Sequence, residues 1–347
     1  MLRRTKVLLD RPSLIGKRPK KMDPYSEILS GLKLQGAIFF RAEFSAPWFI
    51  NAPPSPQLAA ALGIENAHVV NFHLLTEGEA NVELPTGSTL SLTAGEIVIF
   101  PHGDAHYLLS TDGACRKEDV AVAAKVRARD LSPLRCGGGG APAKFVCGYM
   151  ACDPFFCRSV VSGLPAVISV NIRSDSTGRW IESSLLHLLE DVGSNSVGSE
   201  AVLAKLSEAL FIEALRKYAA QLPKERAGWL AAARDPHIGR ALVMLHSRMA
   251  HPWTIGDLAS NVGLSRSAFI DRFSQLLLMP PMTYLTRLRM HLAARALVTS
   301  AVSIPTIAAQ VGYESEAAFN RAFSREWGEP PARYRSMSRP PTEGDRA

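Results

Sequence analysis

Two stretches decide how this 347-residue chain folds: TIGDLASNVGLSRSAFIDRFSQLL (residues 254–277) and SIPTIAAQVGYESEAAFNRAFSREW (residues 303–327). They are two copies of one pattern. Ala259 and Gly263 lie four apart, as do Ala308 and Gly312. Ser265, Phe269 and Phe273 keep the spacing of Ser315, Phe319 and Phe323, and the turn of the second copy is one residue longer. A small Ala on the first helix admits the close approach of a second helix. The Gly supplies the positive φ that ends the first helix, and the Ser caps the start of the next. Phe at i and i+4 puts two rings on one buried face. Each copy therefore predicts helix, tight turn, helix, and MTYLTRLRMHLAARAL (282–297) predicts a helix that joins them.

A helix-turn-helix lays its second helix in the major groove of double-stranded DNA. One copy is a modest signal, because helical hairpins are common, but two copies about 50 residues apart are a strong one. These residues resemble the DNA-binding domain of AraC-family transcriptional regulators. The resemblance is densest in IAAQVGY (307–313) and FNRAFSREWGEPPARYR (319–335), and GRALVMLHSRMAHPWTIGDLA (239–259) resembles the family's leading helix. It implies two helix-turn-helix subdomains bridged by one helix, reading successive major grooves about 34 Å apart. It also implies activation through RNA polymerase.

With the Phe pairs in the core, the expected base-facing residues are Ser267, Ile270 and Asp271 in the first copy and Glu316, Ala317, Asn320 and Arg321 in the second. Arg321 suits guanine and Asn320 adenine, each bidentately. Arg266, Arg272 and Arg325 are expected on phosphates, with a solvated charge or an intradomain ion pair as the alternative for each. Asp271 repels phosphate, so the first motif is expected to carry less affinity than the second.

Charge is distributed in the same sense. Residues 1–23 carry eight Lys/Arg against two acids, residues 24–225 sixteen against twenty-one, and residues 236–347 thirteen Arg and no Lys against eight acids. A basic C-terminal block behind an acidic body separates a nucleic-acid end from another function. Hydrophobic residues at 47% and charged residues at 20% exclude wholesale disorder. No apolar run approaches the roughly 20 residues that span a bilayer. The basic start lacks the continuous apolar run of a secretory signal, and five cysteines suit no paired framework. The expectation is a bacterial, cytoplasmic, nucleoid-associated protein that no membrane partners, with its start at Met1 or Met22.

The N-terminal half has a β texture. GAIFFRAEF (36–44), AHVVNFHLL (67–75), EANVEL (79–84), TLSLT (89–93) and EIVIFP (96–101) are short runs rich in Val, Ile and Phe, with TEGEA and PTGST as hairpin turns. They predict a small antiparallel barrel or jelly roll. A short helix is expected over 24–33 behind Asp23, and RCGGGGAPAK (135–144) reads as a flexible break. Beyond it lie WIESSLLHLLEDV (180–192) and SEAVLAKLSEALFIEALRKYAAQL (199–222), the latter with apolar positions 202, 203, 206, 210, 211 and 215. This pair either packs on the barrel or forms a homodimer.

VVNFHLLTEGEANVEL, LTAGEIVIFPHGDAHYL, FVCGYMACD and GLPAVISV resemble the cupin-type N-terminal domain of one AraC subfamily. The expected fold class is thus α+β: a basic tail over 1–22, a cupin-like sensory domain over 23–178, a helical dimerisation region over 179–228, an all-α double helix-turn-helix domain over 235–336, and a tail over 337–347. His73, His102 and His106 are candidate effector-pocket residues. Metallocupins use His-x-His with an acid, which is missing here, so neither a metal, a cofactor nor a catalytic residue is expected. The alternative is a metal-dependent cupin enzyme tethered to DNA, or a constitutive DNA-binding protein with a structural cupin.

Cys136, Cys147, Cys152 and Cys157 crowd one region and are redox candidates, while Cys115 stands apart. Cys136 beside Arg135 on a glycine run suits a reactive thiol, whereas Cys147 and Cys157 equally suit small buried hydrophobes. Some members of the subfamily are thought to sense oxidants or electrophiles. The signal is therefore a small molecule or an oxidant.

Overall fold

The computed structural model describes residues 34–64, 67–112, 132–152, 161, 164–192, 199–222 and 227–338. The basic tail, the helix expected over 24–33, Cys115 and Cys157 lie outside them. Among the described residues, ten strands form two facing sheets. The six-stranded sheet holds, in spatial order, β10 (Ile168–Asn171), β6 (Glu96–Phe100), β3 (His68–Glu77), β9 (Pro142–Cys152), β1 (Leu34–Ser45) and β8 (Leu134–Gly137). The four-stranded sheet holds β2 (Phe49–Ala52), β7 (His106–Leu109), β4 (Glu79–Glu83) and β5 (Thr89–Thr93). Neighbours run antiparallel except β1 and β8, which are parallel. Helix α1 (Ser55–Leu62) lies beside β3.

Strand β3 shows why the sheets stack this way. Seven consecutive residues, Val69–Leu75, are buried, so both faces are covered. Val70, Phe72 and Leu74 point outward onto helices, in a core shared with α2 (Ser176–Val192) and α3 (Ser199–Gln221). Val69 faces the sandwich interior with Trp48, Phe100, Phe145 and Tyr149. Helices α2 and α3 thus pack on the barrel through Ile181, Leu185, Leu203, Leu210, Phe211 and Leu215. Val202, expected in that stripe, is 49% exposed, because the helix turns Leu203 rather than its neighbour toward the sheet.

The segment 135–144 corrects the expectation of a flexible break. Cys136 pairs with Phe44 in the β1–β8 ladder, and Ala143 and Lys144 belong to β9. At two of the glycines backbone passes close by: a Cβ on Gly137 would lie 1.8 Å from the Ser45 carbonyl oxygen, and one on Gly140 2.7 Å from that of Ala46.

The C-terminal part is all helical: α4 (Trp229–Arg234), α5 (Ile238–Ser247), α6 (Ile255–Val262), α7 (Arg266–Leu277), α8 (Pro281–Thr299), α9 (Ile304–Gln310), α10 (Glu316–Trp327) and α11 (Pro331–Ser338), the last running past the boundary expected at 336. Among the described residues no helix is long and apolar enough to cross a membrane.

Candidate functional site

Each helix of the repeat starts and stops where its local chemistry dictates. Thr254 caps α6 in a reciprocal box: its hydroxyl accepts from the Asp257 amide at 3.1 Å, and the Asp257 carboxylate accepts from the Thr254 amide at 3.1 Å. Gly263 then turns at φ 76°, and the Ser265 hydroxyl accepts from the Ala268 amide to open α7. Ser303 opens α9, Gly312 turns at φ 84°, and Ser315 opens α10 by accepting from the Ala318 amide. Phe269, Phe273, Phe319 and Phe323 are all fully buried, and Ala259 and Ala308 are buried with them.

Burying those faces turns the opposite ones outward. Ser267, Ile270 and Asp271 on α7 are exposed, as are Glu316, Ala317 and Arg321 on α10. Asn320 is half-buried, and its carboxamide oxygen has no hydrogen-bond partner. Arg266 and Arg325 are exposed, and the Arg266 guanidinium lies against Gly256. Arg272 is already engaged: its Nε donates to the Asp235 carboxylate at 2.7 Å, and Nη2 also reaches that oxygen. Asp235 in turn accepts from the His237 and Ile238 amides, and these bonds and the guanidinium hold its carboxyl below the usual range although burial pushes it up.

That pair belongs to a chain of contacts leading back to the barrel. Arg234 on α4 donates to the Ala219 carbonyl of α3, and the Gly228 amide donates to the Leu276 carbonyl of α7 at 2.7 Å. Helix α4 therefore touches both the last barrel helix and the first recognition helix. The sequence reading passed over this link, since Asp235 and Arg272 are 37 residues apart and nothing in the local pattern pairs them.

Inside the sandwich the structure joins His73 and His106 and leaves His102 elsewhere. His102, half-buried, bonds the Leu164 carbonyl at 2.9 Å. His106 Nδ1 lies 2.9 Å from the Asp104 carbonyl, so that nitrogen carries its proton. Its Nε2 then accepts from His73 Nε2–H at 2.7 Å, which leaves His73 Nδ1 to accept the Cys147 S–H at 3.0 Å. This neutral chain ties the six-stranded sheet to the four-stranded one, with His106 stacked on Phe100 at 3.5 Å between ring centres. Burial lowers His106 to about 4, and burial and the facing imidazole hold His73 well below its usual value.

The thiols separate. Cys147 is buried and its thiol is pushed up by burial, the opposite of an activated nucleophile. Cys136 is half-buried on a ladder strand, and its neighbour Arg135 spends its Nε on Glu43 at 2.8 Å. Of the two features behind the reactivity expected of Cys136, Arg135 is thus paired with Glu43 and Gly137 is packed against β1. Cys152 ends β9. Among the described residues no group of three or more His, Cys, Asp or Glu is placed to hold a metal ion. The alternation in β3 carries a signal for this interior: Asn71 and His73 interrupt an otherwise apolar inward face.

A family model described as a cupin matches residues 23–220, and one described as a helix-turn-helix domain matches residues 258–337. The chain is 27% identical to the HTH-type transcriptional regulator AlkR of Acinetobacter baylyi, over 91% of this chain and 100% of that protein. It is also 27% identical to the RCS-specific HTH-type transcriptional activator RclR of Escherichia coli, over 92% of this chain and 99% of that one. A solved DNA-binding domain of AdpA, in complex with a target DNA, is 29% identical over 30% of this chain and 92% of that chain, with a TM-score of 0.29.

Proposed function

We propose, because this chain belongs to the AraC-type transcriptional regulators with an N-terminal cupin domain, that it binds specific operators through both helix-turn-helix motifs and that its cupin interior receives the signal. The observation that carries the reading is the repeat itself: two Ser-capped helices, each with a buried Phe pair and an exposed outer face, joined by the single helix α8. We assign base contacts to Ser267, Ile270 and Asp271 on α7 and to Glu316, Ala317, Asn320 and Arg321 on α10. To take adenine bidentately, Asn320 must turn its carboxamide oxygen, buried and unpartnered here, outward. Arg266 and Arg325 take phosphates, and Arg272 offers one the guanidinium edge that Asp235 leaves open.

The sensory part spans 23–178 and the homodimerisation region 179–228, with α2 and α3 on the outside of the barrel. Trp180, 63% exposed, and Val202 supply apolar surface for a second copy. The signal is a small molecule or an oxidant reaching the barrel, and α4 passes it on by contacting α3 and α7 together. The Escherichia coli relative is named an activator, which supports the same sign of regulation here, through RNA polymerase.

The test begins with selection of duplexes from a random library by the full-length protein at fixed salt. On the selected site, Arg321→Ala costs about 1–3 kcal/mol and relaxes preference at one position. Arg325→Ala weakens all duplexes alike and lowers the salt slope by about 1. If Arg321→Ala weakens specific and non-specific binding equally, it is a phosphate clamp and the base assignment fails.

A further inference from the structure

The two helix-turn-helix cores are separate apolar clusters. One takes α7 and the first turns of α8 through Tyr284, Leu285 and Leu288; the other takes the rest of α8 with α9 and α10. Arg289 sits on α8 where one cluster gives way to the other, and its side chain lies across the seam. Nε donates to the Met249 carbonyl at 2.8 Å and Nη2 to the His251 carbonyl at 2.8 Å, both in the loop before α6. Nη1 reaches the Gly312 carbonyl at 3.4 Å, in the turn of the second motif, and the guanidinium carbon stands 5.9 Å from the centre of the Tyr313 ring. The two loops also touch directly: a Cβ on Gly312 would lie 2.6 Å from the Ala250 carbonyl oxygen and 2.8 Å from its Cα.

We infer that Arg289 is the residue that fixes the phase between the two recognition helices, and hence the spacing of half-sites the protein accepts. The inference rests on the DNA-binding reading above. A single helix joining two independent cores can bend or twist at its middle, which lets each motif find its groove separately. A second strut beside the helix removes that freedom. Guanidinium suits the task because its donors are fixed in one plane and can serve carbonyls on two loops at once, whereas a lysine ammonium is a point charge. The acceptors are backbone carbonyls, so substitution of the partner residues leaves them in place and the strut depends on Arg289 alone. Arg287, on the same helix, instead faces Glu326 of α10 at 3.7 Å, within the second motif.

The test compares the full-length protein with Arg289→Met and Arg289→Lys. Bioorthogonal spin labels are placed at Ser260 on α6 and Gln310 on α9, both exposed. Without DNA, the wild type gives one narrow inter-label distance and both variants a broad one. On the selected duplex, and on copies with one or two base pairs inserted between its half-sites, the wild type loses about a hundredfold on insertion and Arg289→Met about threefold or less. A narrow distance and an unchanged insertion penalty in Arg289→Met overturn the inference. If Arg289→Met does not fold, Arg289→Lys decides by the same two readings, since it keeps the charge and loses the fork. A wild type that selects no duplex refutes the DNA-binding reading, and the label distances then still decide whether Arg289 is the strut.

Discussion

Gly137→Ala separates two readings of the glycine run by the sign of its effect. In a flexible connector, Gly→Ala stabilises a protein by about 0.4–1 kcal/mol, because the unfolded chain loses freedom it would otherwise give up on folding. In this structure the residue ends β8 with φ 127°, and the added Cβ would sit 1.8 Å from the Ser45 carbonyl oxygen, 2.7 Å from its carbonyl carbon and 2.8 Å from its nitrogen. All three are backbone atoms of β1, so no side chain can swing away. The unfavourable φ costs about 1–3 kcal/mol. Displacing β1 costs about 1–3 kcal/mol more, as overpacking does elsewhere. After the unfolded-state gain is set against them, a net loss of about 1–5 kcal/mol remains, or roughly 2–20 °C in the melting of the barrel. Gly139→Ala is the matched control: its φ is 86° but nothing lies within 4 Å of its Cβ, so it pays the conformational term alone. Thermal unfolding followed by near-ultraviolet circular dichroism, in which Trp48 at the centre of the sandwich reports the barrel, measures both. A Gly137→Ala protein that melts with the wild type, or with Gly139→Ala, refutes the packed turn.

Two further outcomes follow from the buried polar chain. His73 and His106 have folded pKa values below the unfolded 6.5, so the unfolded chain binds more protons and their contribution is full above pH 6.5. It is lost as pH falls toward 4, by about 3 kcal/mol for the His106 displacement alone. Urea unfolding between pH 7 and 4 shows the slope, and a His73→Gln/His106→Gln double variant without a flatter profile would contradict the assignment. The Cys147 thiol, buried and pushed up, resists iodoacetamide at pH 8 in the folded reduced protein and reacts once urea unfolds it. Peptide mapping by mass spectrometry reads this, and rapid folded-state labelling of Cys147 would show that the sandwich opens.

Legibility in the sequence tracks the range of the interaction. The repeat was legible because every constraint in it is local: Ser265 and Ser315 cap amides three residues on, Gly263 and Gly312 turn single residues, and the Phe pairs recur at one helical turn. Strands β3 to β6 were legible for a similar reason, since alternation and hairpin turns act over a few residues. The glycine run was misread because its composition is that of a linker, while the reason for it, the backbone at Ser45–Ala46, lies about 90 residues away. Asp235 with Arg272 and Arg289 with Gly312 were invisible for the same cause. A charge or a guanidinium carries no mark of which distant carbonyl or carboxylate it will meet.

By itself, then, the sequence determined the helices of the repeat and which of their faces are buried, because capping, positive-φ glycines and hydrophobic period act within a turn or two of chain. It also placed histidines and cysteines in the barrel region without saying which would meet. Only the tertiary structure decided that His73 bridges Cys147 and His106 across two sheets, that His102 stands apart, and that Arg135 pairs with Glu43. The physical reason is that strand register and sheet stacking bring together residues separated by 33 and 74 positions. Such pairings are selected by the packing of the whole core and leave no period in the chain to read.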